Sequence, residues 1–147
     1  MNNSTIFTYF NNNPHNKITS DCIIRSLSLF LNQNYLQILY DLLQVYMKTG
    51  YHIGDPVCFM SYLSQLNKFT KVVVPESNKL TLKKFCIDIQ NQNYSNLLKI
   101  NSKNCDKVLV LLGNSHLTFL EKGVIMDIGD CSNLFINTYW IYGEEQI

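Results

Sequence analysis

Charge is scarce in this 147-residue chain: Asp, Glu, Lys and Arg supply 16% of it, against roughly 25% in ordinary soluble domains. Asn and Gln, as in Asn11-Asn12-Asn13 and Asn32-Gln33-Asn34, make up part of the missing polarity. Basic residues never run longer than the pair Lys83-Lys84, and the formal net charge is +1. Nucleic-acid binders carry a basic stripe, so no nucleic acid is expected as a partner. No apolar stretch approaches the ~20 residues that cross a bilayer, so no membrane is expected either. The start, Met1-Asn2-Asn3-Ser4-Thr5, lacks the basic and apolar regions of a secretory signal, and the expected compartment is the cytoplasm.

Cysteine is present but unpatterned. Cys22, Cys58, Cys86, Cys105 and Cys131 are odd in number and contain no C-x-x-C pair, which argues against a disulfide framework. His15, His52 and His116 are scattered, so no metal is expected. The glycines Gly50, Gly54, Gly113, Gly123, Gly129 and Gly143 are too dispersed for a phosphate loop, and no cofactor is expected.

The length suits one domain over 1–147, with 1–13 as a loosely ordered arm anchored by Phe7, Tyr9 and Phe10. Beyond the loop Asn11-Asn12-Asn13-Pro14, Ser20 or Asp21 caps an apolar-periodic helix over 21–32. Asn34 caps a second helix, to about Lys48, which Gly50 stops. Asp55-Pro56 starts a third, to about Asn67. Val72-Val73-Val74 is a short strand ended by Pro75, and Thr81 opens a helix to about Gln90. The last third reads as strands: 107–112 buried on both faces, a hairpin of 116–120 and 124–127, and a final strand near 137–142 that carries Trp140 into the core. Helices first and strands afterwards predict an α+β fold with an antiparallel sheet.

Three residues in this frame have the chemistry of a thiol hydrolase. Cys22 stands in the first turn of a helix, where free N–H groups and the helix dipole favour a thiolate. His116 starts a strand after the polar turn Gly113-Asn114-Ser115, at the rim of a sheet. With Glu121-Lys122 as the hairpin tip, Leu120 falls opposite Gly123 and His116 opposite Asp127, on one face. A carboxylate there would fix the imidazole, and Asp130 is the competing orienter. The backbone N–H of Cys22 and one upstream donor would form an oxyanion hole. Arg25, one turn after Cys22, would pair with Asp21 or hold the loop. Cys58, Cys86 and Cys105 read as core or surface thiols, whereas Cys131 lies near Asp127 and Asp130.

The run Asp21-Cys22-Ile23-Ile24-Arg25-Ser26-Leu27-Ser28, followed by Tyr35-Leu36-Gln37-Ile38-Leu39-Tyr40-Asp41-Leu42, resembles a group of small papain-like proteins of bacteriophages and bacteria. Those carry a D-C-v-v-R-A-l-a pattern and then a Y-x-x-v-y-d-x-L helix. Ser115-His116-Leu117-Thr118-Phe119 with Gly123-Val124-Ile125-Met126-Asp127 is similar to the group's G-H…D hairpin. Thr81-Leu82-Lys83-Lys84-Phe85 and Tyr139-Trp140 match in order, so the resemblance spans about 14–142. It implies a papain-like cysteine peptidase fold and an oxyanion side chain six residues before the nucleophile. That position holds Asn16 where the group often has Gln, and Ser20 stands where Gly usually precedes the Asp-Cys pair. His15 is the neighbouring substitute for Asn16.

The function expected from these residues is thiol-dependent hydrolysis of an amide in a protein or peptide substrate, through Cys22, His116 and Asp127. Two alternatives share the scaffold. One is acyl transfer or crosslinking on the same triad; the other is a non-catalytic protein-binding module, as in a phage- or host-interaction protein.

Overall fold

The computed structural model describes residues 5–143. In chain order its elements are β1 (Phe7–Tyr9), α1 (Cys22–Leu31), α2 (Tyr35–Thr49), α3 (Pro56–Leu66), β2 (Phe69–Val73), α4 (Leu82–Gln90), β3 (Lys107–Leu112), β4 (His116–Glu121), β5 (Val124–Asp127) and β6 (Ile136–Tyr142). Three helices start where a side chain satisfies their free N–H groups. Asn34 accepts from Leu36 N, Asp55 from Val57 N and Thr81 from Lys84 N. α2 ends on Gly50 in the left-handed conformation. α1 is different. Asp21 precedes it but makes no capping hydrogen bond, because its carboxylate is engaged elsewhere.

The strands form one sheet in the order β1-β5-β4-β3-β6-β2. All neighbours are antiparallel except β1, which runs parallel to β5. The fold is thus α+β, as expected, but the sheet is mixed rather than antiparallel throughout. Both edge strands come from outside the C-terminal third. β1 lies in the segment read as a loose arm, whose described part is stitched to the sheet by Ile125 N to Ile6 O (2.8 Å) and Phe10 N to Asp127 O (2.9 Å). Three residues are too few for alternation to reveal a strand. β2 starts at Phe69 rather than Val72, since Thr70 and Val72 face inward while Lys71 and Val73 face out.

Helices cover both faces. α1, α2 and α3 pack on Leu109, Leu111, Leu117, Phe119 and Trp140. α4 packs on Val108, Val110, Leu112, Leu120, Ile125 and Tyr139. A strand buried on both sides has no polar face, which is why β3 reads as a continuous apolar run.

The hairpin register differs from the expected one by a single pair. Glu121 lies opposite Val124, Leu120 opposite Ile125 and Phe119 opposite Met126, so the tip is Lys122-Gly123. Continuing the ladder brings Thr118, not His116, level with Asp127. A two-residue turn displaced by one position moves every pairing by two, and strand faces repeat every two residues. His116 and Asp127 therefore remain on one face as diagonal neighbours.

Gly123 fixes that tip. Its φ is +77°, and a Cβ would come within 2.9 Å of Gln90 Cγ and 3.0 Å of the Cys86 carbonyl oxygen on α4. Gln90 Nε2 also donates to the Gly123 carbonyl (3.0 Å). Gly123→Ala should lower unfolding stability by about 1–3 kcal/mol in urea titration. Gly50→Ala, at φ +80° but with nothing within 4 Å of the added carbon, should cost less. Equal losses would show that the tip does not depend on the close approach to α4.

Candidate active site

The uncapped start of α1 lies beside the first residue of β4. Cys22 opens the helix, His116 opens the strand, and Ser26 Oγ donates to the Leu117 carbonyl (2.9 Å), tying the two elements together. Cys22 and His116 line one cleft of about 510 Å³, with Ser20, His52, Ile53 and Ile128 among its other walls. His116 Nε2 donates to Asp127 Oδ2 at 2.8 Å, which leaves Nδ1 as the ring nitrogen for Cys22. The His116 side chain is 32% exposed and that of Asp127 1%. As a thiol, Cys22 reaches the Ser115 carbonyl at 3.9 Å. As a thiolate it accepts from His116 and from Leu117 N.

Behind the imidazole stands a buried set of charges of alternating sign. Asp127 accepts from His116, from Thr118 Oγ1 (2.8 Å), from Arg25 Nη1 (3.0 Å) and from Ile128 N (2.7 Å). Arg25 also donates Nε to Asp21 Oδ1 (2.7 Å). The other oxygen of Asp21 accepts from Tyr35 OH (2.7 Å) and Asn13 Nδ2 (2.9 Å). Asp21, Arg25 and Asp127 are all buried. The sequence of charges from the back of the site to the cleft is thus Asp21 negative, Arg25 positive, Asp127 negative and His116 positive, with the Cys22 sulfur next in line.

The protonation states follow from these contacts. Burial works against the Asp127 carboxylate, but hydrogen bonds from His116, Thr118 and Arg25 outweigh it and bring the group down to about 2. The Asp127 hydrogen bond is the main cause that pushes His116 up to about 12, with Cys131 and Cys22 adding to it. Burial likewise opposes the Cys22 thiolate, yet the His116 hydrogen bond, Leu117 N–H and the charges of His116 and Arg25 hold this thiol below its ordinary 9.0. The site therefore favours a thiolate at Cys22 beside an imidazolium at His116.

The chain places the remaining site candidates as follows. Asn16 is exposed at φ +54° in a turn closed by its N–H on the Asn13 carbonyl, and it is not among the residues lining the cleft. His15 is exposed in the same turn. Asp130 is exposed and accepts from Ser132 N, so Asp127 is the carboxylate on His116. Cys58, Cys86 and Cys105 are buried. Cys131 does approach, donating to Asp127 Oδ2 at 3.9 Å. Donor atoms of His116, Asp127 and Cys131 lie within 4.8 Å of one another. The guanidinium on the same carboxylate repels a cation there, so these three do not make a convincing metal centre.

Sequence reasoning missed several members. Thr118 follows His116 by two and so shares its face, a signal the strand period offers. Arg25 was seen beside Asp21, but its reach to Asp127 spans 102 positions and left no local trace. Nothing local marks Asn13, Tyr35 or His52 as parts of the site.

No family model, curated protein or solved structure matches this chain.

Two outcomes follow from the geometry. Arg25→Met strands two buried carboxylates and should lower unfolding stability by about 3–5 kcal/mol, with Arg25→Lys intermediate because an ammonium lacks the fork. A loss below about 1 kcal/mol for Arg25→Met would mean that the charges are not sequestered as described. In the second, iodoacetamide should alkylate Cys22 ahead of the other cysteines, at a pH below that at which an ordinary thiol of 9.0 reacts. His116→Ala removes the donor and the positive charge, so labelling should then climb with pH toward the ordinary thiol value of 9.0. An unchanged pH profile in the variant would dissociate the histidine from the thiol.

Proposed function

We propose that the chain is a thiol-dependent amide hydrolase acting on peptides or proteins, with Cys22 as nucleophile, His116 as general acid and base, and Asp127 as orienter. The observation that carries this is the clamp on His116: one ring nitrogen is held by a buried carboxylate at 2.8 Å, and the other is left for a thiol at a helix start. Burial of Asp127 keeps water from competing for the imidazole.

In this reading the Cys22 thiolate adds to the amide carbonyl carbon. The negative charge that gathers on the carbonyl oxygen falls near the first N–H groups of α1, which no side chain caps. His116 gives its Nδ1 proton to the amine nitrogen as the C–N bond breaks, leaving a thioester on Cys22. The now neutral imidazole takes a proton from water, hydroxide adds to the thioester, and the acid departs with the thiolate restored. A second oxyanion donor would come from the Thr19–Ser20 stretch of the cleft wall rather than from Asn16.

A papain-like arrangement accommodates the same parts: a nucleophile at a helix start, a histidine opening a strand and a carboxylate on the next strand, with the helix packed on the sheet. The α+β order of elements supports that finer assignment. Acyl transfer differs only in the acceptor, and an added amine diverts the thioester if that reading is right.

The test is cleavage of a complex peptide mixture, read as new chain ends by mass spectrometry for wild type and Cys22→Ala side by side. Ends that appear only with the wild type are expected, and Asp127→Asn should slow their appearance by roughly a hundredfold or more. Identical spectra for wild type and Cys22→Ala would end the hydrolase reading and leave the cleft as a binding site.

A further inference from the structure

α2 is apolar on two opposite faces. Ile38, Leu42 and Val45 are buried against the body of the protein. On the opposite side Leu36 is 57% exposed, Tyr40 59%, Leu43 39% and Met47 77%. At 100° per residue these four fall within an arc of about 60°, in the 4-3-4 spacing of a helix-packing seam. An outward helix face normally carries charge. Here the helix has only Asp41 and Lys48, and Asp41 is occupied by Tyr62 OH (2.7 Å) and Gln37 (2.8 Å).

We propose that this face is a homodimer interface, in which α2 packs antiparallel against α2 of a second copy. The order of the stripe favours a second copy over another occupant. A two-fold axis requires that if residue i meets residue j, then j meets i. Laid antiparallel about the midpoint of the stripe, Leu36 meets Met47 of the other copy and Tyr40 meets its Leu43. The same register pairs both ends at once and sets no like charges opposite each other. A membrane-surface helix would flank the stripe with several Lys or Arg, and this one has Lys48 alone.

The area is sufficient. Tyr46, at the margin of the stripe, and Tyr51, just past the end of the helix, are also exposed. At roughly 200 Å² for a large side chain, the six residues expose on the order of 600 Å² per copy. Two copies then reach about 1,200 Å², the lower bound of a specific interface, before Gln37, Gln44 and Lys48 at the rim are included. Tyr46 also meets the ring of His52 edge-on at 5.3 Å, so the dimer face abuts a wall of the cleft.

Sedimentation equilibrium of the full chain under reducing conditions, across roughly 5–200 µM, tests this. A monomer–dimer equilibrium is expected for wild type. Leu36→Glu and Met47→Lys, both on the exposed face, should each keep the wild-type circular dichroism melt while weakening dimerisation at least about tenfold. Mixing the two variants should restore a heterodimer, because the antiparallel register sets the introduced carboxylate of one against the introduced ammonium of the other and leaves one Leu–Met contact intact. A wild type that stays monomeric at the highest concentration overturns the proposal, whatever else binds the face. So does a dimer that both variants leave unchanged. Variants that dissociate but do not recover on mixing overturn the antiparallel pairing.

Discussion

A single buried guanidinium organises the site. Arg25 lies between Asp21, at the foot of its own helix, and Asp127, at the end of β5. Taking such a group out of water is costly unless its charge and donors are met, and here two carboxylates meet them. The consequences run in both directions. Because Asp21 is turned toward Arg25, Tyr35 and Asn13, it does not cap α1, and the first N–H groups of the helix stay free at the cleft. Because Asp127 is held by Arg25 and Thr118 from behind, it stays ionised and presents one oxygen to His116. The open helix start and the fixed histidine thus have one cause.

That constraint works only because the sheet brings distant segments to one place. α1 crosses the face formed by Leu109, Leu111, Leu117 and Phe119, and the Ser26–Leu117 hydrogen bond fixes its position along β4. Cys22 and His116 are each the first residue of their element, so both lie at one edge of a packed layer rather than inside it. α4 seals the opposite face and seats the hairpin tip through Gly123. A hairpin slipped by one residue would turn Asp127 to the opposite face from His116 and Thr118 and leave Arg25 with one partner. The position of the tip glycine and the charges of the site therefore specify the same register.

Much of this was legible in the chain, and the remainder was not for identifiable reasons. α2, α3 and α4 carry local signals, namely Asn34, Asp55-Pro56 and Thr81 at their starts and apolar positions at helical spacing, and each begins where those residues place it. β3 matched because a strand buried on both faces is a continuous apolar run. The hairpin tip was misjudged by one residue, since Glu121-Lys122 and Lys122-Gly123 both read as turns; the left-handed backbone at Lys122 and Gly123 decides between them. The Cys22, His116 and Asp127 grouping survived that error because side chains repeat every two residues along a strand. β1 was invisible, being three residues long and defined by its partner. Asn13, Tyr35 and the second arm of Arg25 depend on contacts across 8 to 102 positions, for which no spacing rule exists.

The surroundings of the two thiols near one imidazole differ in a way that favours Cys22 over Cys131 for the proposed role of nucleophile. Cys131 stands on the carboxylate side of the ring and acts as an S–H donor toward Asp127. Cys22 accepts from the imidazole and from Leu117 N–H, and it opens the helix whose start no side chain caps. It also lines the cleft, which Cys131 does not. In the proposed hydrolysis, a substrate carbonyl in the cleft would reach the sulfur of Cys22 while its oxygen turned toward the helix start. On that proposal, polarity along the series from Asp21 to Cys22 selects both the reacting atom and the direction from which a substrate would approach it.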